Sequence, residues 1–300
     1  MIPAPIALFV YNRPEHTRRT LDTLKKNNLA EDSRLYIFSD APKTAADASQ
    51  VQAVRSLIRE TTGFRSVQII EQKENKGLAN SIIDGVTQIC RDYGRVIVME
   101  DDLLSSPFLL EYFNDALQRY EKEERVMHIG AYMYPLSDAS HLPETFFYRA
   151  ATSWGWATWA RAWQHFNPDI DLLMSRFDKK AIHRFSIGNS MNFWKQMQQF
   201  KAGKNNSWAI RWYASIFLRG GLTLNPAQSL VNNIGHDGSG THSGTIDVYT
   251  VNVRQTPVRD FPDALLENPQ AYAAIRNFLT KRKGSYWERG LRFLRQRFGR

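Results

Sequence analysis

The first hundred residues hold four short apolar runs, each separated from the next by an amphipathic stretch of helical period, and this alternation leaves few architectures open. The runs are Ile6 to Tyr11, Arg34 to Phe38, Val67 to Ile70 and Val96 to Met99. Apolar runs of this length without polar alternation suit strands buried on both faces. Between them, Thr17, Leu21 and Leu24, then Val51, Val54, Leu57 and Ile58, then Leu78, Ile82, Ile83, Val86 and Ile89 recur at helical spacing. Pro14 suits the first turn of the first helix. The pattern predicts a parallel sheet covered by helices.

In such sheets ligands bind at the carboxyl ends of the strands. Those ends read Tyr11-Asn12-Arg13, Ser39-Asp40, Asn75-Lys76-Gly77 and Glu100-Asp101-Asp102. Three consecutive acids repel one another. A hard cation such as Mg²⁺ or Mn²⁺ among them would relieve that repulsion and complete its shell with phosphates. A solvated acidic turn at the start of the next helix is the alternative, and spacing alone does not choose. With Arg13 and Lys76 suited to phosphates, the set is that of a nucleotide diphosphate site. Neither G-x-G-x-x-G after the first strand nor a P-loop motif occurs, which removes the main support for dinucleotide and P-loop readings.

Beyond Leu103 a helix is expected from Pro107 to about Glu121 and a strand from Val126 to Ile129. An aromatic-dense stretch follows, with Phe146 to Tyr148, Trp154, Trp156, Trp159 and Trp163. Indoles of this kind suit either a core or a sugar-stacking wall. In the second reading Trp154, Trp156 and Trp208 contact the acceptor. A helix through Trp208, Trp212, Ile216 and Phe217 ends at Gly220-Gly221, and strands are expected at Leu222 to Leu224 and Ser229 to Ile234. From Gly235 to Gly244, four glycines accompany His236, Asp237 and His242. This is either a flexible surface loop or a lid that brings a metal ligand or an acid/base group to a substrate.

The single cysteine, Cys90, excludes an intrachain disulfide and suits a reducing, cytoplasmic setting. The net charge of +9 is not a nucleic-acid footprint: eight bases and one acid lie in residues 281–300, so seven of the nine charges belong to the last twenty residues. No apolar run approaches the roughly 20 residues that span a bilayer, and the N-terminal stretch reads as a first strand rather than a signal peptide. From Ser285 to Arg300, Trp287, Leu291, Leu294 and Phe298 fall at helical spacing, with Arg289, Arg292, Arg295 and Arg297 around them. Such a helix suits an anionic membrane surface, with docking on the chain's own body or on a polyanion as alternatives. A cytoplasmic enzyme at the inner face of the cell membrane would suit a lipid-linked acceptor.

In this order, the motifs resemble the glycosyltransferases of the GT-A fold, among them N-acetylglucosaminyltransferase I and bacterial family-2-like transferases. The likeness spans roughly residues 5 to 245. It rests on Asn12-Arg13, Asp40, Val96 to Leu103 with Phe108 and Glu111-Tyr-Phe113, Tyr148-Arg149 leading to Gly155-Trp156, and the late glycine-histidine element from Gly238 to His242. The resemblance implies an α/β chain with a Rossmann-like, mixed and mainly parallel sheet flanked by helices, followed by a C-terminal amphipathic helix. Residues 1–104 would be the nucleotide-sugar half, 105–260 the acceptor half of the same domain, and 261–300 a helical tail. It implies a metal-dependent, inverting transfer from a nucleotide diphosphate sugar, UDP-linked by expectation, to a glycan hydroxyl in bacterial surface polysaccharide or lipid-linked glycan synthesis. Asp102 would ligate the metal, with His242 or its rival His236 beside it. Glu100 and Asp101 would serve the ribose and the metal's water shell, Asp40 the base and Arg13 the diphosphate. Tyr11, Asn12, Asn75, Lys76 and Gly77 complete the donor set. One departure stands out: inverting members place a carboxylate at the start of the helix after the aromatic segment, and Ser207 to Trp212 contains none. Asp237 is the expected substitute base. A nucleotidyltransferase, or a nucleotide-sugar-binding protein without turnover, is the alternative.

Overall fold

The computed structural model describes residues 2–137, 139–236 and 247–282. The first half alternates as expected: β1 (Ile6–Val10), α1 (Pro14–Leu24), β2 (Arg34–Ser39), α2 (Ala48–Arg59), β3 (Ser66–Glu71), α3 (Gly77–Tyr93) and β4 (Arg95–Glu100). Next come β5 (Leu103–Ser105), α4 (Leu109–Arg119), β6 (Val126–Gly130), β7 (Thr145–Tyr148) and β8 (Trp156–Trp159). Short helices α5 (Ala160–Trp163), α6 (Ile170–Ser175), α7 (Lys179–Phe185) and α8 (Phe193–Lys201) precede α9 (Trp208–Leu218), β9 (Leu222–Pro226), β10 (Val231–Asn233) and α10 (Pro269–Arg282).

Among the described residues, eight strands form one sheet in the order β3-β2-β1-β4-β8-β6-β9-β7. Strands β1 to β4 pair in parallel, β6 pairs in parallel with β9, and β8 and β7 run antiparallel to their neighbours. The sheet is therefore mixed and mainly parallel, as the sequence leads one to expect. Both expected halves contribute strands to it.

The first two crossovers step from β1 outward to β3, and the third returns past β1 to β4. Right-handed crossovers then put α1 and α2 on one face and α3 on the other. A crevice opens between the carboxyl ends of β1 and β4, where the strand order reverses and ligands bind in open α/β sheets. Helix α9 lies on the α3 face, where its Trp208 and Trp212 pack on Trp156. On the opposite face of β8, the Trp159 indole donates to the Leu117 carbonyl of α4 at 3.1 Å.

Residues 261–300 were expected as a helical tail, and the described part of that stretch includes α10. Helix α10 belongs to the body: Ala271, Ile275 and Leu279 are fully buried in a second apolar cluster with Phe185, Ile210 and Tyr213. These three residues recur at i, i+4 and i+8, a stripe wide enough to seat a helix. The expected amphipathic helix at 285–300 lies outside the described residues. No helix among the described residues is long and apolar enough to cross a membrane.

Candidate active site

The buried run Val96 to Met99 carries β4 to the rim, and the chain turns at Asp101-Asp102 into β5. Strand β5 pairs antiparallel with β10, Leu103 facing Asn233, so the end of β10 arrives beside the turn. The Ile234 amide donates to the Asp102 carbonyl at 2.8 Å. Helix α1 holds the other wall: the Thr17 amide and hydroxyl both donate to the Arg13 carbonyl, and the Thr20 hydroxyl donates to the Asp101 carbonyl at 2.8 Å.

Arg13 is thereby set between the two aspartates. Its Nη2 donates to Asp101 Oδ1 and, at 2.9 Å, to Asp102 Oδ2. Asp101 and Asp102 are buried, so the guanidinium is the charge that makes the pair tolerable. Burial pushes the Asp101 carboxyl up to about 6, against the pull of Arg13. Burial, with the charges of Asp102 and Asp101, drives Glu100 well above the usual carboxylate range. Burial works against the charge of Arg13, and the two aspartates outweigh it, raising its pKa.

The donor-side residues form a second knot. Asp40 Oδ1 accepts from the amides of Ala41 and Lys76, both at 2.9 Å, and Oδ2 accepts from the Gly77 amide at 2.8 Å and the Asn75 side chain at 3.2 Å. All four acceptor positions of that carboxylate are in use. Asp40 thus ties the end of β2 to the first turn of α3. Gly77 permits this at φ +72°, a left-handed conformation that side-chain-bearing residues rarely adopt. Lys76 turns its amine onto Asp84 at 2.7 Å. The Tyr11 amide reaches Asp101 Oδ2 at 3.4 Å, and Asn12 donates to Asp47.

The acceptor role expected of Trp156 and Trp208 is corrected. Trp156 is fully buried, stacked on Trp208 at 5.1 Å and on His128 at 5.3 Å, so neither face is open to a sugar. Trp208 is 5% exposed. Trp154 keeps partial exposure and meets Tyr132, His236 and Tyr249 edge to face, at 4.5, 5.2 and 5.9 Å. His236 Nε2 is buried without a hydrogen-bond partner among the described residues. The first turn of α9 supplies no acid: Ser207 caps it through the Ile210 amide, and Arg211 is buried between Phe166 and Phe200. Asp237 and His242 lie outside the described residues.

Two residues here escape sequence reasoning. The Asn233 side chain donates to Asp102 Oδ1 at 3.4 Å and accepts the Gly235 amide at 2.7 Å. Gly235 lies so close to the turn that a Cβ there would stand 2.3 Å from Asp102 Oδ2 and 3.0 Å from Arg13 Nη1. Four glycines in the 235–244 stretch were the only signal, and it pointed to mobility rather than close approach.

Among the described residues, no group of three or more His, Cys, Asp and Glu side chains is arranged to hold a metal ion. The donors that do meet are the carboxylates of Asp101 and Asp102 and the Asn233 amide. This fits a hard divalent cation of the Mg²⁺ kind, which takes one or two carboxylates and draws its remaining ligands from phosphates and water.

The sequence matches no protein-family model and no curated protein. Three of the solved structures to which the chain is similar follow. The mannosyltransferase PcManGT from Pyrobaculum calidifontis, in complex with GDP-Man and Mn²⁺, is 12% identical over 73% of this chain and 70% of that one, with a TM-score of 0.38. TarS of S. aureus is 12% identical over 42% of this chain and 21% of its own, at 0.30. Mouse xyloside xylosyltransferase 1, in its apo form, is 11% identical over 71% and 80%, at 0.38.

Proposed function

We propose that the protein is a glycosyltransferase that moves a sugar from a nucleotide diphosphate sugar, probed first as UDP-linked, to a hydroxyl of a glycan acceptor. One observation carries this reading: Arg13, Asp101 and Asp102 meet at the crevice between β1 and β4, beside the turn that Asp40 fastens. A guanidinium among buried carboxylates offers a diphosphate both a fork of N–H donors and the acids that a cation needs. Asp102, with Asp101 and Asn233 beside it, would hold Mg²⁺ or Mn²⁺, which when bound would neutralise the departing diphosphate as a Lewis acid. Gly235 and Asn233 fix the Asp102 carboxylate, and Asp40, by accepting the amides of Lys76 and Gly77, fixes the turn on the donor side. Contact with the base would run through the Asn75 to Gly77 backbone that Asp40 organises. Trp154 stands on the acceptor side, and His236 joins it to the Asp102 turn. The base that deprotonates the acceptor is assigned to Asp237, with inversion at the anomeric carbon. Residues 285–300 are assigned to an anionic membrane surface, with the enzyme at the cytoplasmic face and its product a surface polysaccharide or lipid-linked glycan.

A second reading, donor binding without turnover, is favoured by the absence of an acid between Ser207 and Trp212. Thermal shift with a panel of nucleoside mono- and diphosphates, with and without Mn²⁺, tests the donor site. One diphosphate should raise Tm in a metal-dependent way, and Asp102→Ala should remove that response. No response to any nucleotide sinks both readings. A nucleotide-sugar hydrolysis and transfer screen separates them, since the second expects binding and no product.

A further inference from the structure

A groove of about 280 Å³ lies between the 135–137 segment, Val248 and the last turns of α10. Leu136, Val248, Ala274 and Phe278 make its lining mostly apolar, and Lys281 and Arg282 stand at one end. Arg282 is short of acceptors. Among the described residues its hydrogen bond goes to the Met191 thioether at 3.4 Å, and no carboxylate lies within ion-pair distance of it or of Lys281. A thioether is a weak acceptor, whereas a guanidinium carries five donors in a fork that matches an oxyanion. Its flat face lies 5.4 Å from the centre of the Tyr249 ring.

Tyr249 also connects the groove to the catalytic turn. It meets His236 at 6.0 Å and Trp154 at 5.9 Å, and His236 follows Gly235, which abuts Asp102. Phe278, stacked on Tyr134 at 5.1 Å, forms the opposite wall. A ligand lying in the groove with a charged group at Arg282 would extend its next group along Tyr249 toward Trp154 and Asp102.

We propose that this groove seats an anionic amphiphile as acceptor: a phosphate on Arg282 and Lys281, its alkyl chain along Leu136, Val248, Ala274 and Phe278, and its sugar beside Trp154. The inference rests on the transferase reading and names the acceptor class for it. An apolar lining selects against a free glycan, and two bases without acid partners among the described residues select for an anion. The chain's own tail, which leaves from Arg282, is a poorer occupant because it brings like charge to Lys281 and Arg282.

The test uses the full chain and dodecyl phosphate below its critical micelle concentration, titrated by calorimetry. Saturable binding is expected. Arg282→Gln should weaken it about tenfold, the scale of one charge-assisted bidentate contact. Val248→Asp, at a 44% exposed position where folding is not at stake, should weaken it further. Dodecyl maltoside and inorganic phosphate alone should each bind much more weakly. Four results overturn the proposal. They are no saturable binding, undiminished binding to Arg282→Gln, inorganic phosphate binding as well as the amphiphile, or binding that appears only after Trp287 and Leu291 are both changed to Asp, which gives the groove to the tail. A nucleotide response without amphiphile binding overturns this inference alone. Loss of both overturns the transferase reading as well.

Discussion

At the crevice between β1 and β4, Asp101 and Asp102 are held by a guanidinium and by groups from α1 and β10, and each polar contact has a partner. Across the rim, Trp154, Tyr132, Tyr249 and His236 meet through ring edges, and the His236 Nε2 has no partner among the described residues. Below them, Trp156, Trp208, Trp212 and His128 form a closed aromatic stack. The first region is a charge network whose geometry the backbone fixes; the second is a packed apolar mass with a thin open edge. Ring packing costs most when emptied, and a charge network costs most when one member is removed or displaced.

The largest effect expected on either side is emptying the stack. Trp156→Ala should cost about 3–5 kcal/mol, read as a drop in the denaturant midpoint, whereas Trp154→Ala should cost far less. Equal losses would break the division between core and wall. Next is Gly235→Ala, which forces a methyl against the Asp102 carboxylate and should cost about 1–3 kcal/mol of stability. It should also weaken nucleotide binding; unchanged binding would detach Gly235 from the donor site.

The two regions should also respond oppositely to pH. His128 is fully buried, accepts from the Trp212 indole at 3.2 Å, and is depressed by burial to about 3. Unfolded, it binds a proton below about 6.5, so its contribution to stability is present above that pH and is lost as pH falls, by about 2 kcal/mol at pH 5. Asp101 is raised to about 6, so its neutral form favours folding at low pH and that contribution is lost as pH rises from about 4 to about 6. Unfolding of His128→Asn and of the parent across pH 4.5–7 separates the two slopes. An unchanged profile in the variant would remove His128 from the account. The smallest effect belongs to Lys76→Ala, whose exposed pair with Asp84 should contribute less than about 0.5 kcal/mol. A larger loss in nucleotide binding than in stability would place its amine on the phosphates.

The first half was legible because its signals are local. Helix α1 begins at Pro14 and ends at Leu24, and β1 to β4 match the four apolar runs with no end shifted by more than one residue. Strand β8 was not legible as a strand. Trp156 to Trp159 is four residues long, and its place between β4 and β6 comes from pairing with residues far away in the chain. The docking of helix α10 on the body was hidden for a similar reason: only the second apolar cluster gives Ala271, Ile275 and Leu279 something to bury against.

The sequence by itself determined the alternation of strand and helix and the delivery of Arg13, Asp40 and Glu100 to Asp102 to one rim. Period and strand direction are properties of neighbours along the chain, and a parallel sheet turns them into a shared edge. Only the tertiary structure decided that Arg13 pairs with both aspartates, that Asp40 is fully occupied by the turn it fastens, that Trp156 is core while Trp154 is wall, and that Gly235 lies against Asp102. Each depends on which distant segments come within a few ångströms. Close packing allows one such arrangement, and side-chain identity read along a line does not encode it.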